Sequence, residues 1–100
     1  MTHSTVNTEN ESGGSTRTVF HTINITSLDS AGVETYDPVA EVGLGGADRY
    51  GVSVQGIEDE SLVIQWDHLD TELKVKNMSD GTDVANNSDV GEVLLKVEGV

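Results

Sequence analysis

The stretch RTVFHTINIT, residues 17–26, decides the fold of this chain because its side chains alternate between two faces. One face carries three apolar residues and a histidine: Val19, His21, Ile23 and Ile25. The opposite face carries Phe20, Thr22, Asn24 and Thr26. A period of two residues is typical of a β-strand with one buried face. We therefore predict a strand here, with His21 as a half-buried, hydrogen-bonded histidine on its apolar side.

Beyond residue 26, short apolar segments recur and are separated by turn residues. Their alternation predicts a hairpin return at residues 33–36 and further strands at residues 50–55, 62–66, 73–77 and 93–98. Residues 39–44 form another short apolar segment, and residues 84–89 a short helical turn or an irregular loop. The fold predicted from this pattern is all-β, a small β-sandwich or barrel of about six to eight short strands.

The segment before the first predicted strand has a different composition. Residues 1–16 are rich in Ser, Thr, Asn, Glu and Gly, and Val6 is their one apolar side chain after Met1. Such a segment buries too little apolar surface to order itself. We predict a flexible polar N-terminal arm at residues 1–16 with a hinge at Gly13 and Gly14, followed by a single β-domain at residues 17–100. The arm has neither the basic start nor the apolar run of a secretory signal.

The charge balance is strongly acidic, since 18 Asp and Glu residues face 5 Lys and Arg residues for a formal net charge of −13. Carboxylates at this density repel one another in dilute buffer, whereas about 1 M salt shortens the screening length to about 3 Å. The composition therefore predicts a halophilic source. It argues against nucleic acid as a partner, because phosphate binding depends on Lys and Arg. No apolar run approaches the ~18 residues of a membrane span.

Motifs for catalysis and cofactor binding do not match this chain. The segment GLGGAD, residues 43–48, has Asp48 where the dinucleotide fingerprint requires Gly or Ala, and a strand follows instead of a helix. A tightly turned or flexible loop is expected there. The chain has no Cys and no Gly-x-Ser-x-Gly elbow, and its histidines are His3 in the arm, His21 in a strand and His68 in a turn. We expect no enzymatic activity, no catalytic residue and no cofactor.

Acidic turns are candidates for Ca²⁺ binding, since Ca²⁺ takes about six to eight oxygen ligands. The candidate groups are Asp67/Asp70/Glu72, Glu58/Asp59/Glu60 and Asp80/Asp83. None of them has the alternating ligands and central Gly of an EF-hand loop. We interpret them as solvated turns that attract cations loosely, and we predict no specific metal site.

Aromatic residues next to cations are the best candidates for a protein contact. Trp66 shares a strand face with Leu62 and Ile64, which favours a place in the core. Tyr50 follows Arg49 directly after the Gly-rich loop, and Tyr and Arg are enriched at protein interfaces. We predict Arg17, Arg49 and Tyr50 as interface residues.

In general style across residues 17–100, including the terminal strand VGEVLLKVEG at residues 90–99, the chain resembles the small β-rich capsid-associated proteins of halophilic archaeal viruses. Those proteins are decoration, turret or minor capsid components. The resemblance implies a location in the virion and a major capsid protein as partner. Other protein subunits are the expected contacts, in a homo-oligomer or a lattice.

Three functions follow as alternatives. The first is a non-enzymatic structural protein of a halophilic assembly, a virion component whose arm reaches a neighbouring subunit by strand addition. The second is a cellular protein-binding β-domain in the cytoplasm of a halophilic archaeon, with Arg49, Tyr50 and the loop at residues 45–49 as its contact. The third is an acidic nucleic-acid mimic that inhibits a DNA-binding protein. Acids recur in almost every turn rather than on one face, which favours the first two.

Overall fold

The computed structural model describes residues 2–13, 16–45 and 49–100. Within them the chain forms seven strands and one short helix. In chain order these are β1 His3–Gly13, β2 Thr16–Ile25, β3 Val33–Thr35, α1 Pro38–Val42, β4 Tyr50–Ile57, β5 Leu62–Asp67, β6 Glu72–Asn77 and β7 Gly91–Gly99. The predicted all-β fold is confirmed. No helix among the described residues is long and apolar enough to cross a membrane.

The strands form two antiparallel sheets that make up a small β-sandwich. The first sheet has the order β1-β2-β7-β4, and the second has the order β3-β6-β5. The central pair β2–β7 aligns Val19 with Val97 and Ile23 with Val93, so apolar residues form rows on one face of the sheet. The strands predicted at residues 62–66 and 73–77 are present and pair as the hairpin of β5 and β6.

The core lies between the two sheets and consists of the alternate residues that face inwards. Its fully buried apolar members are Val19, Ile23, Ile25, Leu28, Tyr36, Leu73, Val75, Val93, Leu95 and Val97. Most of them are β-branched, a shape that packs well on a pleated surface. Trp66 is half-buried at the margin of this core, and its ring meets the ring of Tyr36 edge-on with centroids 6.2 Å apart.

Residues 3–13 correct the prediction of a flexible arm. They form β1, which pairs with β2 along its length with one register shift near its start. A polar strand can join a sheet because the backbone, not the side chains, makes the ladder hydrogen bonds. Composition did not reveal this strand, because residues 4–11 are all exposed. The predicted hinge residue Gly14 lies outside the described residues.

Two further segments differ from expectation. Residues 33–36 were expected to return along the first strand, but β3 pairs with β6 and belongs to the second sheet. Most of the apolar segment at residues 39–44 lies in α1. The carboxylate of Asp37 caps this helix by accepting the N–H of Val39 at 3.1 Å, and Gly43 ends it in the left-handed conformation. A capping Asp and a terminal Gly are ordinary signals of helix ends. Here they occur in a chain whose other segments are mostly β-strands.

Candidate functional site

A buried group of charged side chains lies where the start of β1 meets β3 and α1. It consists of His3 from β1, Glu34 from β3 and Glu41 from α1, and we call it the His3 cluster. The Nδ1 atom of His3 contacts a carboxylate oxygen of Glu34, and its Nε2 atom contacts a carboxylate oxygen of Glu41. His3 is 8% exposed and Glu34 is fully buried. One imidazole ring therefore bridges the buried carboxylate of Glu34 and the carboxylate of Glu41, which is 20% exposed.

The carboxylate of Glu34 has further hydrogen-bond donors around it. Its Oε2 atom also accepts the hydroxyl of Thr2, and its Oε1 atom accepts the backbone N–H of Asp29 at 3.0 Å. A buried charge is tolerated only where it is paired and hydrogen-bonded. An ionised carboxylate only accepts hydrogen bonds, and the hydroxyl, the N–H and the ring of His3 can all donate. The surroundings of Glu34 therefore suit an ionised side chain.

The two carboxylates stabilise the protonated form of His3. The pKa of His3 is raised above 6.5, mainly by the hydrogen bond to Glu34. Burial acts in the opposite direction and lowers this pKa. The hydrogen bond and the charge of Glu41 raise it further. A neutral imidazole has one N–H donor, whereas the imidazolium has two. Only the protonated ring can donate to both carboxylates at once, so His3 is a cation at and below pH 6.5.

A second buried histidine, His21, lies beside the His3 cluster, and its ring is neutral where that of His3 is protonated. The Nδ1 atom of His21 lies 2.6 Å from the hydroxyl of Tyr36, and its Nε2 atom lies 2.9 Å from the hydroxyl of Thr5. Burial is the main reason that the pKa of His21 is lowered; Glu41 opposes this effect and the charge of His3 adds to it. A hydroxyl can donate or accept, so the two oxygens satisfy a neutral ring. The prediction of a hydrogen-bonded histidine is confirmed, although the side chain is fully buried.

Tyr36 lies between the two histidines. Its ring centroid is 5.9 Å from that of His3 and 5.7 Å from that of His21. Burial raises the pKa of Tyr36 well above its ordinary value of 10, so the hydroxyl keeps its proton. The site thus combines one charged and one neutral histidine across an uncharged phenol. Its chemical property is a proton held at His3, in a position where that proton joins three elements of the fold.

The geometry of the His3 cluster does not suit a metal ion. Glu34 and Glu41 contact nitrogens on opposite edges of the same ring, so the two carboxylates do not converge on one point. Metal ligands must converge on the ion at distances near 2 Å. Two hydrogen-bonded ion pairs through one imidazolium account for all of these contacts.

A partly exposed acidic group lies around the β5–β6 turn. We call it the Lys74 cluster; it consists of Asp67, Asp70, Glu72 and Lys74. Carboxylate oxygens of its three acids lie within 4.8 Å of one another, as the Ca²⁺ interpretation requires. However, the Nζ atom of Lys74 lies 2.7 Å from Glu72 and 3.7 Å from Asp67. An ammonium group therefore already supplies positive charge to these oxygens, and we assign no metal to them.

Arg17, predicted as an interface residue, makes contacts within the protein. Its guanidinium donates to the carbonyl oxygen of Gly43 at 2.9 Å and to the side-chain oxygen of Asn10 at 2.7 Å. A cation at the end of a helix satisfies free carbonyl groups. Arg17 therefore ties β1 and β2 to the end of α1, and its part in an interface stays a prediction.

Tyr50 lies at the same end of the first sheet as Arg17, because both residues pair with Gly99 of β7. Arg49 directly precedes Tyr50 in the chain. Arg49 is exposed. Tyr50 is half-buried, and its ring centroid is 5.3 Å from that of His68. Next to His68, Leu69 is 93% exposed. The structure thus brings Tyr50 to the residue that precedes an exposed leucine. Residues 46–48 of the adjoining loop lie outside the described residues.

Sequence reasoning missed the His3 cluster. It placed His3 in a disordered arm, and it gave Glu34 and Glu41 no role. One signal was available for Glu34: in a strand, residues two apart share a face, so Glu34 faces the same side as Tyr36. An acid and a large aromatic residue on one face can indicate a buried carboxylate. Nothing in the sequence indicates that His3 is its partner, because 31 positions separate them.

No family model, curated protein or solved structure matches this chain.

Proposed function

We propose that this chain is a non-enzymatic structural protein of a halophilic assembly, a capsid-associated component of a virion that is held in place by contacts between protein subunits. Its small size supports this proposal, because a domain of about 100 residues has a limited core and gains stability by association. Its net charge of −13 supports the halophilic setting, since like charges on neighbouring subunits are tolerated where salt screens them.

The observation that carries the proposal is the position of β1. This strand of 11 residues lies at the edge of the first sheet and has β2 as its partner among the described strands. Residues 4–11 are exposed, so little of the strand is stabilised by burial in its own domain. An edge strand offers a row of backbone groups to another chain, and strand addition is a common way to join subunits.

Two proline variants test whether β1 carries the contact. Neighbouring residues of a strand direct their N–H groups to opposite edges, so one of Thr8→Pro and Glu9→Pro removes an outward donor and the other removes a donor to β2. We expect the wild-type chain to be a defined oligomer by light scattering in about 2 M NaCl. The variant that keeps the β1–β2 ladder, as monitored by amide exchange, should be a monomer. A wild-type monomer, or an oligomer that survives both substitutions, contradicts assembly through β1.

The halophilic setting has its own test. Far-UV circular dichroism should show cooperative β-structure in about 2 M NaCl and loss of that structure in about 50 mM NaCl. Potassium chloride at the same ionic strength is the control, since screening does not depend on the identity of the cation. Equal folding at both salt concentrations contradicts the halophilic part of the proposal.

The exposed Leu69 favours a second candidate, a cellular protein-binding β-domain. A leucine that is 93% exposed and follows the His68 of the Tyr50–His68 contact has the character of a small protein-binding patch. Leu69→Ser tests this surface, with the similar apolar-to-polar change Met78→Ser at another exposed position as control. Loss of association in Leu69→Ser, but in neither proline variant, would place the contact at this end of the sandwich rather than at β1.

A further inference from the structure

We infer that the His3 cluster is a pH-sensitive latch, in which the protonated ring of His3 holds the start of β1 against β3 and α1, and loss of its proton releases β1 from the edge of the first sheet. This property belongs to a single chain. Its contacts lie within one chain, so it does not rest on the proposed function.

The latch follows from the number of protons on one ring. With both nitrogens protonated, His3 donates to Glu34 and to Glu41. After one proton is lost, one nitrogen presents a lone pair to a carboxylate, and neither acid faces a cation. A buried carboxylate without its partner is strongly unfavourable. The ring must then leave the site or water must enter it, and either change detaches the start of β1.

The rest of β1 has few other attachments. Residues 4–11 are exposed, and the strand is held mainly by its ladder to β2. Two side-chain contacts add to the ladder: Thr5 bonds His21, and Asn10 accepts from Arg17. Buried His3 is therefore the main side-chain anchor at the start of the strand, and beyond it the side chains of residues 4–11 are exposed and mostly polar.

Other titratable groups face the ring of His3. Glu34 faces it from β3 and Glu41 faces it from α1. Tyr36 and His21, the other titratable neighbours, stay uncharged there, because burial raises the pKa of Tyr36 and lowers the pKa of His21.

The direction of the switch follows from proton linkage. Because the pKa of His3 is raised in the folded chain, its stabilisation is complete below pH 6.5 and is lost as the pH rises through the raised value. Each unit by which that pKa is raised makes release of β1 about tenfold easier at high pH than at low pH. The latch is closed in mildly acidic solution and opens in alkaline solution.

Amide hydrogen exchange of β1, between about pH 5.5 and pH 9 in about 2 M NaCl, tests the latch. Protection factors corrected for intrinsic exchange should fall for β1 with the same midpoint as the NMR titration of the His3 ring. The fall should be about tenfold per unit of the His3 pKa shift. Amides of β7, in the middle of the sheet, should keep their protection and so report that the domain stays folded.

Three variants complete the experiment. His3→Gln should give low β1 protection without a pH step, and Glu72→Gln, at a carboxylate outside the cluster, should show the wild-type step. Should His3→Gln fail to fold, Glu41→Gln decides: with one carboxylate neutralised, the midpoint should move down towards pH 6.5. A β1 protection that stays constant while His3 titrates, a step that persists in His3→Gln, or an unmoved midpoint in Glu41→Gln overturns the inference.

Discussion

The His3 cluster and the Lys74 cluster have the same arrangement, a cation between two carboxylates, at two different depths. In the first, His3 is 8% exposed and Glu34 is fully buried. In the second, the side chain of Lys74 is 37% exposed. Water screens the exposed group and can replace each partner, so its ion pairs add little. In the buried group, water cannot replace a partner that is lost. Burial therefore decides which arrangement holds the fold together.

The largest expected effect separates the two clusters directly. Glu34→Ala leaves the His3 cation with one partner and removes the acceptor for Asp29 and Thr2, and losing one member of a buried pair costs about 3–5 kcal/mol. Urea unfolding near pH 6 in about 2 M NaCl measures the loss. The matched change Glu72→Ala, which removes the nearest carboxylate of Lys74, should shift the unfolding midpoint by only a small part of that amount. Equal losses would contradict the importance of burial.

The next effect concerns the neutral histidine. Tyr36→Phe removes the hydroxyl that lies 2.6 Å from His21 and leaves a buried nitrogen unpaired, at a cost of about 1–3 kcal/mol. Thr5→Val removes the other hydroxyl and should cost less, because Thr5 is exposed and water can replace it. Urea unfolding compares the two variants. A larger loss in Thr5→Val would show that the exposed side of the ring matters more than the buried side.

A smaller effect is the pH dependence that the two histidines impose with opposite signs. The contribution of His3 is lost as the pH rises above 6.5. The pKa of His21 is lowered on folding, so its contribution is lost as the pH falls below 6.5. The wild-type unfolding midpoint should therefore decline both above and below pH 6.5. In His3→Gln the decline above pH 6.5 should disappear, and the decline below pH 6.5 should remain. An alkaline decline that remains in His3→Gln would assign it to another group.

The smallest effect is expected at the exposed cluster. Lys74→Gln removes the cation that faces Glu72 and Asp67, and the resulting repulsion is screened in about 2 M NaCl. The thermal unfolding midpoint should stay within experimental error there and should decrease measurably only at lower salt. A clear loss at high salt would show that Lys74 acts through packing of its stem as well as through its charge.

The fold could be predicted from the sequence wherever apolar alternation was strong. The segments that became β2, β4, β5, β6 and β7 were identified in this way, since their buried faces repeat every two residues. β1 was missed because its exposed residues carry no such signal. α1 was missed because five residues are too few for a helical period.

The candidate site was predictable only in part. His21 was recognised because it interrupts an apolar face and therefore needs hydrogen-bond partners. His3, Glu34 and Glu41 come from three elements that only the packing of the sandwich brings together. Among 18 acidic residues, composition offers no means to select the two that are paired with a buried histidine.

The sequence by itself determined the class of the fold and the acidic character of the surface, because alternation and charge are local properties that each segment carries independently. The tertiary structure alone decided that β3 joins β6, that a polar segment completes the edge of a sheet, and that His3 is a cation while His21 is neutral. Pairing and protonation depend on burial and on neighbours distant in the chain, and neither exists until the two sheets have packed.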